Sequence, residues 1–454
     1  MASRWISART RKVETRKGST GWKAASIWLG GFVAFALFVI LNKDLATFLR
    51  YLLLGLPQGA VIALIAVGYS MVYGIIQLIN FAHGEVFMFA TYFVLMFLVA
   101  PETPDAVGPR LITAFVALLV WCALWVALEP WGRARLSGGA GEERSRGRGL
   151  VRVGLATTGA VLVAGLVLAL LPKYGSKPIL PFFVAYAMAI GFAACLGVTM
   201  DLLAYRPLRA SPRLIPLITA IGLSLFLQNI AQATWGSASR FFPADVTPAI
   251  FSGKRVPIVR IGDTQLDMSQ LDALILVLAV SLMVIVQLFI LRTRAGKAMR
   301  ACAQDRTTAA LMGIHVDRFV ALAFALGAGL AAVVAPLYVL RGSPIYPQMG
   351  YIVGILAFAS AVLGGIGNIT GAMLGGMIIG IIYSFVPLFD AFDTFRIFGW
   401  LEEMGWITRA GYERFVTEFG RPGQYQLGVA YAFMILVIVF KPTGLLGKTS
   451  AKRA

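Results

Sequence analysis

The chain has little of what soluble proteins use at their surfaces and active sites. Of its 454 residues only 13% are Asp, Glu, Lys or Arg, two are histidine and three are cysteine. A soluble domain carries roughly a quarter charged residues, so this composition cannot clothe an ordinary water-facing surface. Two histidines leave little for acid–base chemistry, and no cluster of His and Cys has metal-ligand spacing, so no metal is expected. Of the widely spaced cysteines, Cys122 and Cys195 lie inside apolar runs and Cys302 in a basic loop, so no disulfide framework is indicated and they read as small packing residues. Acidic residues are scarce as well, 21 against 40 basic, for a net charge of +19. In a soluble chain that excess would suggest nucleic acid. Here the basic residues fall in short segments between apolar runs, without interleaved exposed aromatics, so no nucleic-acid partner is expected.

What is abundant is apolar sequence, 59% of the chain, in continuous runs of about fifteen to twenty-five residues. Hydrocarbon of about 30 Å needs runs of that length, and their continuity excludes an alternating barrel pattern. The fold class expected is all-α, a polytopic transmembrane helical bundle of about 8–12 spans. Candidate spans are 27–41, 51–78, 86–100, 111–128, 151–171, 180–203, 214–235, 272–291, 319–340, 351–366, 371–388 and 427–441. The Lys/Arg-rich segments 1–26, 132–152, 204–213, 292–318 and 442–454 all fall on one side if the spans alternate, and 101–110, 172–178, 236–271, 341–350 and 390–425 fall on the other. The positive-inside rule makes the basic side cytoplasmic, with both termini there. No small-residue cleavage pattern follows the apolar stretch 27–41, so a retained N-terminal span is expected. Residues 132–152, rich in Gly, Arg and Ser without apolar period, read as a flexible linker. The aromatic and charged stretch 390–425 reads as amphipathic interfacial helices.

Four segments carry more than span length. In 55–92 an apolar, glycine-punctuated run meets Asn80, His83 and Glu85, and Gln58 and Asn229 are further polar groups inside spans. Ionisable groups at membrane depth cost several kcal/mol or more and persist with partners, water or a use. These five residues could line a substrate path or gate. His83 and Glu85 could equally form a hydrogen-bonded brace at a helix end, and span counting puts 80–85 near the cytoplasmic boundary. Replacing Glu85 by Gln is expected to slow transport without loss of expression. In 351–388, Gly364, Gly365, Gly367, Gly371 and Gly375 allow close helix packing, or a half-helix hairpin beside a path. The loop 292–318 suits a short amphipathic helix docking into a partner's groove, beyond the bare role of a topology determinant. Finally, PTGLLGKTS near the C-terminus imitates a phosphate-binding loop, but Pro442 stands where its first glycine belongs and neither strand nor following helix is present, so no nucleotide site is expected.

Residues 55–92 resemble the opening of the inner-membrane permease of branched-chain amino acid ABC importers. The resemblance continues through AYRPLRASPRLIPLITAIGLSLFLQN (204–229), GKAMRACAQDRTTAALMGI (296–314) and AFASAVLGGIGNITGAMLGG (357–376). It implies a permease domain over 51–442, preceded by a basic leader and an extra span in 1–50 and followed by a tail, 443–454. It also implies import of Leu, Ile or Val across a bacterial inner membrane, with no ATPase site or cofactor in this chain. The implied partners are a second homologous permease, two ATP-binding subunits and a periplasmic substrate-binding protein. Gly296, Arg300, Ala309, Ala310, Leu311, Gly313 and Ile314 fall in the segment that would couple to the ATPase. Relatives carrying urea or short amides leave substrate open, and an ion-coupled carrier using His83 and Glu85 as a proton relay is a competing class. The leader, the 101–178 region and 390–425 depart from the shorter permease pattern.

Overall fold

The computed structural model describes residues 34–41, 43–99, 155–163, 182–209, 211–212, 214–244, 247–248, 254–261, 264–390, 402–406 and 408–447, with single positions 116, 166, 251 and 400. The expected spans 27–41, 111–128 and 151–171 lie wholly or partly outside them, as does the linker 132–152. The described residues form two compact units, one drawn from 34–53, 257–266 and 385–426 and a larger one from 54–256, 267–384 and 427–447.

The larger unit is a helical bundle, as the apolar runs require. Helix α1 (Leu45–Ile76), whose residues from Leu54 onward belong to it, is followed by α2 (His83–Leu98), α3 (Phe182–Met200) and α4 (Leu214–Trp235). Next come α5 (Gln270–Arg292), two short helices α6 (Arg294–Gln304) and α7 (Arg306–Leu311), and α8 (Val316–Leu340). Helices α9 (Met349–Gly364), α10 (Ile369–Phe385) and, after the smaller unit's segment, α12 (Gln426–Phe440) complete it. Seven described helical segments, Leu45–Ile76, Phe182–Tyr205, Leu214–Trp235, Gln270–Arg292, Val316–Leu340, Ile369–Phe389 and Pro422–Phe440, are long and apolar enough to cross a bilayer.

Lipid tails are as apolar as leucine, so these helices must associate through close packing, and small residues mark where they do. On α3, Ala185, Ala189, Ala193 and Gly197 recur every fourth position and are buried; a Cβ on Gly197 would lie 2.6 Å from the Phe324 carbonyl of α8. Gly59 of α1 packs on Met377 of α10, and Gly376 and Gly380 of α10 return the contact onto Ala63 and Gly59. The faces turned away from the bundle stay apolar: Val277, Val284 and Ile285 on α5, and Ile435, Val439 and Phe440 on α12, are exposed.

Two helices are too short to cross alone. Each of α2 and α9 has sixteen residues, about 24 Å at the helical rise, against hydrocarbon of about 30 Å. The glycine-rich pair expected over 351–388 is therefore a short helix returned by α10. Gly365 and Gly367 make the turn with φ of 105° and 83°, and the C-terminal segment closes it. Leu445 and Leu446 donate backbone N–H groups to the Leu363 and Gly364 carbonyls at 2.8 and 3.0 Å, and Asn368 donates to the Leu446 carbonyl at 2.7 Å. The stretch that imitates a phosphate loop thus satisfies the orphan carbonyls at the end of α9.

In the smaller unit, Phe385 packs on Phe35, Phe48 and Tyr51. Helix α11 (Arg409–Phe419) and the exposed Trp400 and Trp406 fall where interfacial helices were expected. A two-stranded hairpin, β1 (Arg255–Ile261) with β2 (Thr264–Ser269), occupies a segment read from sequence only as a long mixed-charge loop.

Candidate functional site

Span counting put Asn80–Glu85 near a membrane boundary; in the structure His83 and Glu85 lie against the middle of α8 and α4. Chain leaving α1 turns at Gln77 and runs back inward before α2 begins at His83. His83 Nε2 lies against Gly68 of α1 and the imidazole lies 3.3 Å from where a Cβ on Gly327 of α8 would sit. Gly327 stands near the midpoint of α8 and Ser224 at the midpoint of α4. Irregular backbone inside a bundle of membrane-crossing helices is tolerated where protein surrounds it.

The side chains are held unequally. Glu85 is fully buried; its Oε1 accepts the Ser224 hydroxyl at 2.7 Å and the Gln228 amide at 2.9 Å, both from α4. Its Oε2 has no hydrogen-bond partner and sits 2.8 Å from where a Cβ on Gly350 of α9 would be. Gly84 is pressed on Gly350 and Gly354, so α2 and α9 meet N-terminus to N-terminus with the carboxylate between them. Two helix starts present partial positive charge, which suits an anion placed there. His83 packs edge-on to Tyr69 at 4.8 Å, with Nε2 unpartnered. Asn80 Oδ1 accepts the Tyr205 hydroxyl at 2.7 Å while its Nδ2 is buried without partner, beside a small pocket lined by Tyr69, Tyr73, Leu78 and Phe358.

The other two polar span residues lie elsewhere. Gln58, ten residues up α1 from Gly68, accepts from Arg341 at 2.8 Å, and Arg341 pairs with Asp272 at 2.6 Å. That network joins α1, the end of α8 and the start of α5. Asn229 faces outward on α4 and donates to its own Leu225 carbonyl at 2.8 Å. Sequence reading chose Asn229 and passed over Gln228 and Ser224. These two are four apart on the face turned to Glu85, and that i, i+4 spacing was the available signal.

At the bundle's basic end, Tyr205 closes a π-turn, Asp201–Tyr205, that continues α3. Asp201 pairs with Arg209 at 2.5 Å; Arg209 and Arg206 both bind Asp317 at the start of α8, at 2.7 and 2.6 Å. Segment 292–318 folds beside this cluster. Thr293 caps α6 by accepting from Gly296 at 3.0 Å, and Gly296 must lack a side chain because a Cβ would lie 2.5 Å from the Ile290 backbone. Arg300 donates to the Leu291 carbonyl at 3.2 Å, capping α5. Hydrogen bonds from Thr308, and less from Thr307, hold the Asp305 carboxyl below its usual range as it caps α7. Ala309 is buried, and Gly313, with φ 81°, ends α7 while Ile314 donates back to Ala309. Of the residues singled out from sequence, Gly296, Arg300, Ala309, Gly313 and Ile314 thus shape the segment. Ala310 and Leu311 are presented outward, joined by Met312; Leu311 and Met312 are 83% and 78% exposed.

Comparison with known proteins gives this arrangement a family. The family model described as "Branched-chain amino acid transport system / permease component" matches residues 51–139 and 149–438. The high-affinity branched-chain amino acid transport system permease protein BraD of Pseudomonas aeruginosa is 32% identical over 409 residues, covering 89% of this chain and 98% of that protein. LivH of Escherichia coli K12, of the same description, is 31% identical over 414 residues, covering 91% of this chain and all of LivH. A probable LivH of Methanocaldococcus jannaschii is 34% identical over 115 residues, 25% of this chain and 36% of that protein. No solved structure matches the chain. The match takes in the half-length helices, the glycine hairpin and segment 292–318 alike, and joins them to a bundle of membrane-crossing length. This multi-pass membrane protein therefore belongs to the branched-chain amino acid transport permease family.

Proposed function

We propose that the chain is the membrane-spanning permease subunit of an ATP-driven importer that carries Leu, Ile and Val across a bacterial inner membrane, with both termini cytoplasmic. The observation that carries this is identity above 30% along 98% or more of two permeases of that description. The chain works with a second homologous permease, two ATP-binding subunits and a periplasmic substrate-binding protein. ATP is bound by the partner subunits, and this chain needs no cofactor of its own. Segment 292–318 is the docking element: an exposed Leu311–Met312 knob at the end of a well-capped short helix offers apolar area to a groove at small entropic cost. Asn80, His83 and Glu85 form the inner gate, with Gln58 in a separate brace. Nucleotide-driven motion opens the gate only to the degree that the partner binds one conformation better than the other.

The test is uptake of labelled leucine, isoleucine and valine by cells expressing the complete transporter, with urea and acetamide as competitors. Uptake should vanish without this chain and resist both competitors; leucine uptake that persists without the chain, or that urea displaces, overturns the reading. Leu311→Asp combined with Met312→Asp should lower uptake about tenfold or more at unchanged membrane abundance, and the ATP-binding subunit should no longer co-purify. Undiminished co-purification would remove the knob from the docking role.

A further inference from the structure

Arg306 is absent from the docking surface and from the gate, yet it is where the two are tied together. Asp305 fixes the start of α7 by accepting Thr307 N–H at 2.9 Å and the Thr308 hydroxyl at 2.6 Å, which sets the side chain of the next residue. Arg306 Nε then donates to the Ile75 carbonyl at 3.0 Å, across 231 residues of sequence. Ile75 is in the last turn of α1, whose carbonyls lack intrahelical partners, and a guanidinium there also meets the negative end of the helix. An arginine serving only to keep positive charge on one side of a membrane would extend into water; this one is half-buried.

Immediately past Ile75 the chain turns at Gln77, which has φ 54° and is the non-glycine residue with positive φ among those described. Three residues later comes Asn80, held by Tyr205, and then His83 and Glu85. One short route thus runs from the exposed Leu311–Met312 knob through α7, Arg306 and the end of α1 to the buried segment. A second attachment runs from α7 and α6 onto α8, whose first turn is pinned by Arg206 and Arg209. Removing Arg306 would leave that second attachment, and so the fold of the docking segment, in place.

We propose that Arg306 is a positioning residue that transmits motion of α7 to the end of α1 and thereby to residues 77–85. The inference rests on reading 292–318 as the ATPase-docking segment. The test uses the complete transporter in proteoliposomes, with leucine uptake and ATP hydrolysis measured in the same vesicles. Arg306→Ala should keep hydrolysis within about twofold while leucine moved per ATP falls about tenfold. Arg306→Lys, which retains a donor for the carbonyl, should recover at least half. Uptake and hydrolysis that fall in parallel, an unchanged ratio, or failure of Lys to rescue would each overturn the proposal. A second measurement leaves Arg306 intact: maleimide labelling of Gln77→Cys should change several-fold when nucleotide is trapped, and a constant labelling rate overturns the proposal too. Wild-type complex that moves no leucine would instead count against the transport reading itself.

Discussion

Glu85→Ala should lower leucine uptake about tenfold or more and reduce the thermal stability of the purified chain. The carboxylate takes the Ser224 hydroxyl and the Gln228 amide on one oxygen at a fully buried position. Alanine would strand the Ser224 hydroxyl and leave the Gln228 amide only its 3.2 Å bond to Ser224 Oγ, and a buried donor left unpaired costs about 1–3 kcal/mol. At 1.4 kcal/mol per tenfold, losing one such bond is enough to shift an equilibrium that depends on the α2–α4 link by an order of magnitude. Glu85→Gln separates bonding from charge, because the amide keeps an oxygen in the same place to accept both bonds. The isostere also removes negative charge from between the starts of α2 and α9. It should therefore slow uptake several-fold at normal abundance, an intermediate result. Uptake and melting temperature of Glu85→Ala equal to wild type would show that the α2–α4 link is idle. Equal defects in Ala and Gln would place the whole effect in the charge.

The packing around that link shows where sequence reading reached its limit. Chain polarity, span length and the Asn80–Glu85 cluster were all legible, since each depends on composition or on residues adjacent in sequence. The packing of the cluster against the middle of α8 and α4 was not, because those contacts join residues more than a hundred positions apart. Helix α2 starts against Gly327 and Ser224, and only tertiary packing reveals that the preceding run, α1, overshoots and the chain doubles back. Glycine gave a hint of this: Gly68, Gly84, Gly327, Gly350 and Gly354 all fall where backbones touch, yet they are dispersed over nearly three hundred residues. Segment 292–318 was more legible because its caps are local, Thr293 with Gly296 and Asp305 with Thr307. The hairpin β1–β2 was missed because charged residues on an exposed ribbon blur the two-residue period that identifies a strand.

The glycine hairpin carries the other large effect, and there the opposing contributions can be weighed. Glycine within a helix is about 1 kcal/mol less favourable than alanine, so Gly371→Ala and Gly375→Ala would each stabilise α10 if nothing lay nearby. Something does: a Cβ on Gly371 would overlap the Gly364 carbonyl, and one on Gly375 the Ser360 carbonyl, both backbone atoms of α9. A flexible side chain could swing aside, whereas backbone can yield only by separating the helices. Overpacking of this kind costs typically about 1–3 kcal/mol and more when rigid atoms are struck, which exceeds the propensity gain. Separation would propagate, since α10 also packs through Gly376 and Gly380 onto α1, and the C-terminal segment sits on Gly364 and Gly365. Both variants should accordingly lose several degrees or more of melting temperature in detergent and much of their membrane abundance, and the double variant should fail to accumulate. Gly191→Ala and Gly222→Ala are the controls, because at either site nothing beyond the local helix backbone lies within 4 Å of the added carbon and helix propensity acts alone. They should melt at or slightly above the wild-type temperature. If Gly371→Ala and Gly375→Ala melt with the controls, α9 and α10 are not held at backbone contact, and the glycines there serve the turn alone.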